Sequence, residues 1–557
     1  MYKCYFLHLP LYGLALLAAT CLFFACNSPQ HYDLIIKNSM VYDGTGTSPS
    51  QVDIGVNGDT IAFVGDLDKA TADNIIDAQG MAVSPGFINM LSWAASPLLH
   101  DGRSMSDIKQ GVTLEVFGEG SSLGPLNPQM QETAEVSWTT LGEGLDSLVA
   151  KGVAPNIASF VGATTLRIHE IGYEDRPPTE EELNTMQELV RQAMQEGALG
   201  LGTSLIYAPA FYAQTDELIA LAKAAAEYDG MYISHIRSEG NALLDAVDEL
   251  ITIASEAGID AEIYHLKAAG QQNWSKLDTV LAKIDSANRA GLHITTNMYT
   301  YTAASTGLDA TMPPWVQEGG EQAWVKRLQN PQTRRQVMDE MLSDTHAWEN
   351  FYRLAGDPAN ILLVGFEEDS LQYLTGKNVA EIAEIWQTTP VEAIIDIVVR
   401  NGGDASVVYF LMSEENVKKQ MALPYMSFGS DARSVAAEGE VLTSSTHPRT
   451  YGNFARLLGK YVREEQVISL EEAVYRLTGL SAQKLKIKKR GHIAPGYYAD
   501  ILVFDPAKIQ DKATFENPHQ YAEGMIHVFV NGEQVLDHGE HTGKLPGRVV
   551  RGPGYKK

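Results

Sequence analysis

Cysteine is almost absent. The 557-residue chain holds three, Cys4, Cys21 and Cys26, all near the N-terminus. The body beyond them can form no internal disulfide and no cysteine-based zinc site. Basic residues are scarce as well: 42 Lys and Arg stand against 70 Asp and Glu, a formal net charge of −28. A surface that acidic repels phosphate backbones, which argues against a nucleic-acid partner. No Gly-x-Gly-x-x-Gly or Gly-x-x-x-x-Gly-Lys run supports a nucleotide crevice. Nor does a composition 45% hydrophobic and 20% charged suit a disordered, collagenous or fibrous chain. What remains is a globular chain long enough for several domains, or for one large barrel with a satellite.

Residues 1–25 carry one charge, Lys3, ahead of a mostly apolar run ending Cys21-Leu22-Phe23-Phe24-Ala25-Cys26. His8, Pro10 and the small residue before Cys26 favour a signal segment over a membrane span. The pattern resembles a bacterial lipoprotein signal, with Cys26 as the lipidated first residue. It implies a cell-envelope location, periplasmic or surface-exposed. Phe23 departs from the usual Leu three residues before that Cys, and a retained membrane anchor is the competing reading.

Two β-rich ends bracket an α/β middle. Asp33–Met40 and Gln51–Val64 alternate apolar and polar residues, with Asn57-Gly58 as a hairpin signal; Ala499–Phe504 and Met525–Leu536 do the same around Asn531-Gly532. Sheets this small are marginal alone, so the two ends are expected to pair into one β-sandwich. In the middle, Thr179-Glu180-Glu181-Glu182 caps a helix that Gly197 stops, and strand Ala198–Leu205 follows. The same alternation gives strands Met231–His235, Ala261–Leu266 and His293–Tyr301. A recurrence of about 30 residues is one strand plus one helix, the unit of a (β/α)8 TIM-like barrel. A doubly wound sheet is the rival. The barrel is favoured because polar residues end every strand of the series, on the face where barrel enzymes place their sites. The expected division is 1–25 signal, 26–84 and 486–557 sandwich, and 85–485 barrel. Residues 302–400 exceed one connection and read as an insertion or lid.

His235 and His265 each end an apolar strand, one βα unit apart. On adjacent strands their imidazoles would enter one mouth as two ligands of a metal that needs a third. The bland alternative is two strand-end histidines bonded to loop carbonyls. Asp431, in Gly429-Ser430-Asp431, could accept a proton from a metal-bound water, or could close an Asx turn.

A resemblance adds to this. Ala82-Val83-Ser84-Pro85-Gly86-Phe87-Ile88, the run Ile233-Ser234-His235-Ile236-Arg237-Ser238-Glu239-Gly240, Tyr264-His265-Leu266-Lys267-Ala268-Ala269-Gly270, Gly429-Ser430-Asp431, His447-Pro448-Arg449 and Ile493-Ala494-Pro495-Gly496-Tyr497-Tyr498-Ala499-Asp500 resemble the amidohydrolase superfamily. Within it they look like the N-acyl-D-amino-acid deacylases, from about residue 32 to 550. The resemblance implies one zinc ion on His235 and His265, with Asp431 as the base that activates water and protonates the leaving amine. Tyr207, Lys267 and Arg449 match positions that hold the substrate's α-carboxylate. Lys267 lies two residues after His265, and on one continuous strand that parity puts both on the same face. The partner implied is a small N-acylated amino acid.

Three departures stand out. Leu91 and Trp93 occupy the places of the superfamily's His-x-His, which argues against a two-metal site of the usual kind. The deacylases' cysteine ligand, placed after the third strand, aligns with Gly120; Glu119 is the expected replacement, provided the strand has already broken at Gly118. Glu115, of the same parity, is the fallback. Ala163 replaces the family's histidine in Gly162-Ala163-Thr164-Thr165-Leu166-Arg167. Two rivals to a deacylase therefore remain: another amidohydrolase acting on a cyclic amide, lactone or dipeptide, and a non-catalytic binder.

Overall fold

The computed structural model describes Met1, residues 30–344 and residues 346–556. Apart from Met1, the expected signal segment 1–25 and Cys26 lie outside the described residues. Among the described residues no helix is long and apolar enough to cross a membrane.

The core is a ring of eight parallel strands. The first four are Phe87–Asn89, Val112–Phe117, a third split around Phe160 into Asn156–Ser159 and Val161–Gly162, and Gly200–Ser204. The last four are Met231–His235, Asp260–Ile263, Ile294–Met298 and Met426–Phe428. Each pairs with the next in parallel register, and the two halves of the third strand bind the second and fourth strands separately. The eighth strand returns to the first: Met90 N–H donates to the Phe428 carbonyl at 3.1 Å and Asp431 N–H to the Leu91 carbonyl at 2.9 Å. The ring is a (β/α)8 barrel.

Local chemistry sets the surrounding helices. Thr179 and Glu182 form a reciprocal capping box for helix Glu180–Gln195, whose Met186, Val190 and Ala193 face inward. Helices Thr215–Ala226, Leu243–Ala257 and Lys276–Arg289 again turn an apolar face inward, without a side-chain N-cap, and Gly258 at φ +63° closes the second. Alternate strand residues serve two layers. Leu201, Tyr232 and Ile263 pack with these helices, while Ile88, Leu114, Val116, Phe160 and Ile233 form a separate cluster.

The chain ends make one nine-stranded sheet. Ala82–Pro85 pairs with Ile501–Phe504, joining the N-terminal strands to the C-terminal ones. Strand His31–Val41 bulges between Ile36 and Ser39; before the bulge it pairs with Thr71–Asp77, and after it with Ala82–Pro85. Asn531 (φ +51°) and Gly532 (φ +82°) form the C-terminal hairpin turn as expected. The other turn shifts by one, to Gly58 and Asp59, because Asn57 stays paired in the sheet, opposite Thr60.

Between the seventh and eighth strands the chain builds a subdomain with its own core, including Leu308, Trp324, Phe351, Leu363, Ile394 and Tyr409. Its sheet is antiparallel, in the order Ala303–Gly307, Ser406–Phe410, Ile361–Gly365. The insertion thus runs past residue 400, because its central strand is Ser406–Phe410.

Candidate metal centre

The site lies at the carboxyl ends of the strands. Tyr232 faces the helices and Ile233 the opposite cluster, so His235, two residues after Ile233, shares the inward face. The second strand ends at Phe117, and Gly118 breaks it at φ +107°; a Cβ there would meet the Phe160 carbonyl oxygen at 2.5 Å. This break turns Glu119 inward, after the second strand rather than the third. Its Oε1 lies 3.0 Å from His235 Nδ1 and 3.0 Å from His265 Nε2, and all three residues are buried. Glu115 stands apart, within the strand, accepting hydrogen bonds from Asn89 Nδ2 at 3.0 Å and Ser104 Oγ at 3.1 Å.

The sixth strand is shorter than expected. It ends at Ile263, and His265 adopts φ +32°, so the parity argument for Lys267 fails. Asn297 Oδ1 holds the strained turn by accepting the His265 N–H at 2.7 Å. Lys267 nevertheless reaches the site through the turn. Its Nζ lies 2.8 Å from His265 Nδ1 and 2.5 Å from Glu239 Oε1. Glu239, which the sequence reading assigned no role, is also 3.0 Å from His265 Nδ1. Its carboxylate thereby orients the imidazole whose other nitrogen faces Glu119.

Electrostatics make this a cation trap. Burial opposes the charge on Glu119, yet hydrogen bonds from the two histidines hold it down at about 2. Burial and the Lys267 ammonium depress the His265 imidazole, but Glu239 and Glu119 outweigh them and hold it up at about 9. Two imidazole nitrogens and a carboxylate oxygen suit zinc. A tetrahedral ion with bonds of about 2.0–2.1 Å sets its ligand atoms about 3.3 Å apart, close to the spacing seen. The residues fit the metal. The other ring nitrogen of His235, Nε2, is buried with no hydrogen-bond partner.

Asp431 follows the eighth strand at φ +49° and is buried. Its Oδ1 accepts a hydrogen bond from the Trp93 indole Nε1 at 3.0 Å. Its Oδ2 lies 2.8 Å from Arg449 Nη1, an ion pair without hydrogen-bond alignment: Arg449 Nε and Nη1 are buried and have no hydrogen-bond partner. Nη2 of Arg449 donates to the Ser305 carbonyl at 3.2 Å, and His447 Nδ1 accepts the Arg449 backbone N–H at 3.0 Å. Tyr299 places its ring 4.6 Å from the guanidinium and 5.5 Å from Lys267 Nζ. Tyr207 donates or accepts a hydrogen bond with Thr306 Oγ1 of the insertion at 2.8 Å, with its ring edge-on to His235 at 5.3 Å. All seven residues singled out in the sequence thus gather here. Trp93, Glu239 and Tyr299 are additions.

The insertion grips the same region. Glu349 accepts hydrogen bonds from Ser238 Oγ at 2.6 Å and the Glu239 backbone N–H at 2.9 Å. Burial pushes its carboxyl up to about 7.

Comparison with known proteins agrees with this geometry. A model of the amidohydrolase family matches residues 132–536. The chain is 32% identical over 530 residues to a D-aminoacylase of Alcaligenes xylosoxydans xylosoxydans, covering 94% of this chain and 98% of that one. It superposes on an N-acyl-D-glutamate deacylase of Bordetella bronchiseptica, solved with zinc and a phosphonate mimic of the tetrahedral intermediate, with a TM-score of 0.79. That pair is 28% identical and covers 94% of this chain and 100% of the other. A D-aminoacylase structure described as having a binuclear metal centre, with one-metal activation and second-metal attenuation, gives a TM-score of 0.78 at 31% identity. It covers 93% of this chain and 100% of that one.

Proposed function

Because the chain belongs to the amidohydrolase family, and within it to the N-acyl-D-amino-acid deacylase group, we propose that it hydrolyses the amide bond of N-acyl-D-amino acids. The products are a carboxylate and a D-amino acid. One observation carries the reading furthest: Arg449 is buried beside the ligand triad with Nε and Nη1 lacking a hydrogen-bond partner. Orphaned guanidinium donors are costly, and a substrate α-carboxylate supplies an acceptor of the charge arginine favours. Charge agrees. With His265 deprotonated, as a metal ligand must be, Glu119, Glu239 and Asp431 outnumber Lys267 and Arg449 by one. A divalent cation reverses that sign, leaving the pocket matched to a monoanionic substrate.

His235, His265 and Glu119 would hold a single zinc ion. Bound there, zinc supplies a Lewis acid for the scissile carbonyl and an acidified water. Asp431 takes the proton of the attacking water and delivers it to the departing amine. Arg449 fixes the α-carboxylate on one side of the centre, flanked by Lys267 and Tyr207. With the carboxylate and acyl carbon both fixed, the enantiomer decides where the side chain must go, which favours D over L. Glu239 keeps the His265 ring oriented.

The test is amine release from paired N-acetyl-D- and N-acetyl-L-amino acids by the protein lacking residues 1–26, with and without zinc. Zinc-dependent release from D substrates alone is expected. Release from neither enantiomer at any zinc level would refute the proposal. We further propose that Cys26 carries a lipid that anchors the protein in the cell envelope. Radiolabelled palmitate should enter the full chain, and Cys26→Ser should abolish its incorporation.

A further inference from the structure

The ligand triad leaves one flank of the site unexplained, the flank where Leu91 and Trp93 replace the superfamily's two histidines. The chain here is Asn89-Met90-Leu91-Ser92-Trp93, which leaves the first barrel strand and is laced to the residues after the eighth. Asp431 N–H donates to the Leu91 carbonyl and Trp93 N–H to the Ala432 carbonyl, both at 2.9 Å. Ser430 N–H donates to Asn89 Oδ1 at 2.8 Å, and Asn89 Nδ2 returns a bond to Ser430 Oγ at 2.8 Å. The backbone of Asp431 is thus pinned on both sides in its left-handed conformation. Its side chain is pinned as well, by the indole N–H on Oδ1 at 3.0 Å.

Neither replacement can ligate a metal. Leu91 is buried and has no lone pair, and an indole Nε1–H is a donor only. We propose that Trp93 is a positioning residue for Asp431. Its N–H fixes Oδ1 so that Oδ2 alone faces the water, and it does so as a neutral donor in the place where other members of the superfamily have a metal-binding histidine. The choice of a neutral donor matters for basicity. A cation on Oδ1 would withdraw charge from the carboxylate, and so weaken it as a base; a single indole N–H orients it at much smaller cost. Oδ2 is held differently, by Arg449 Nη1 in an ion pair without hydrogen-bond alignment. A substrate carboxylate that draws the guanidinium's free donors frees Oδ2, while Trp93 keeps Oδ1 throughout. The inference rests on the deacylase reading of the site.

The test is Trp93→Phe, which keeps an aromatic body and removes only the N–H. Zinc content should stay at the wild-type value by elemental analysis. On an N-acetyl-D-amino acid, kcat should fall roughly 10- to 100-fold with KM within about threefold, as expected when a hydrogen bond to a charged group is lost from the reacting residue and not from substrate binding. A kcat within twofold of wild type overturns the inference, as does loss of zinc or of folded protein in step with activity. A second readout needs no turnover. In protein labelled with ¹⁵N at tryptophan, the one indole signal missing from Trp93→Phe should move in Asp431→Asn more than the other indole signals. A signal that stays in place overturns the inference whatever the activity. A wild-type protein inert on every N-acyl-D-amino acid overturns the deacylase reading instead; the moved indole signal would then still support the Trp93–Asp431 bond.

Discussion

Replacing Glu119 by glutamine should strip the centre of zinc while leaving the fold in place. Glutamine has the shape of glutamate and lacks its charge. The histidine nitrogens that now face an anionic oxygen at 3.0 Å would face a neutral amide. Structural zinc sites bind with about 10–16 kcal/mol, which over four ligands is about 3 kcal/mol each. Loss of one anionic ligand should therefore weaken zinc binding roughly 10²-fold. The fold should tolerate the change, because Glu119 sits beyond the end of its strand and its bonding partners are the two ligand histidines. The assay is a competition titration against a chromogenic chelator, with elemental analysis of dialysed protein and circular dichroism as a fold control. Glu115→Gln is the matched control: it removes an equally buried carboxylate that bonds Asn89 and Ser104 and lies off the triad. It should retain zinc. Zinc affinity within threefold of wild type in Glu119→Gln would refute the assignment, and loss of zinc in Glu115→Gln alone would move the third ligand to Glu115.

Three further outcomes follow from the geometry. Arg449→Ala should lower kcat/KM by roughly 10²-fold or more on N-acetyl-D-amino acids, the cost of leaving a buried carboxylate unpaired, with zinc content unchanged; substrates whose α-carboxylate is amidated should show a much smaller loss. Gly118→Ala should lose zinc or folded yield, because its φ of +107° and the Phe160 carbonyl 2.5 Å from a new Cβ leave the methyl no room; zinc content and thermal melting report it. Glu349 is held protonated up to about 7 by burial, against an ordinary value of 4.5 in the unfolded chain. The native state then binds the extra proton between these values, so stability should fall by about 3 kcal/mol as pH rises from 4.5 to 7 and level off above. Glu349→Gln should flatten that slope in urea titrations run across the pH range, and an unchanged slope would sink the argument.

The barrel was legible because its period is chemical. Side-chain caps such as Thr179 and glycine stops such as Gly197 and Gly258 mark several unit boundaries, and the apolar strands between them have no other use. His235 was legible for the same reason, as a polar residue closing an apolar strand. His265 reaches the same mouth, but not as the end of a continuous strand. The sixth strand gives way at Ile263, and a backbone bond from Asn297, distant in sequence, sets the turn that aims both His265 and Lys267. The insertion's far edge was not legible, because Ser406–Phe410 is a short apolar run and only its antiparallel partners assign it to the insertion. Trp93 registered in the sequence only as a ligand lost; its bond to Asp431 spans 338 positions. Glu239 carried no signal of its own, because only the turn after Ile263 brings Lys267 and His265 onto its carboxylate.

The insertion leaves and rejoins the barrel through one doorway. Ala303 and Phe410 are direct partners in neighbouring antiparallel strands, so the two cut points lie side by side. What the insertion brings to the site, including the Ser305 carbonyl on Arg449, Thr306 against Tyr207 and Glu349 under Ser238, arrives within that single contiguous stretch. The barrel supplies the catalytic groups and the stretch supplies part of the wall. Selectivity can therefore be traded as a cassette: a homologous stretch spliced at these two points would change what the wall admits while the hydrolytic machinery stays with the host.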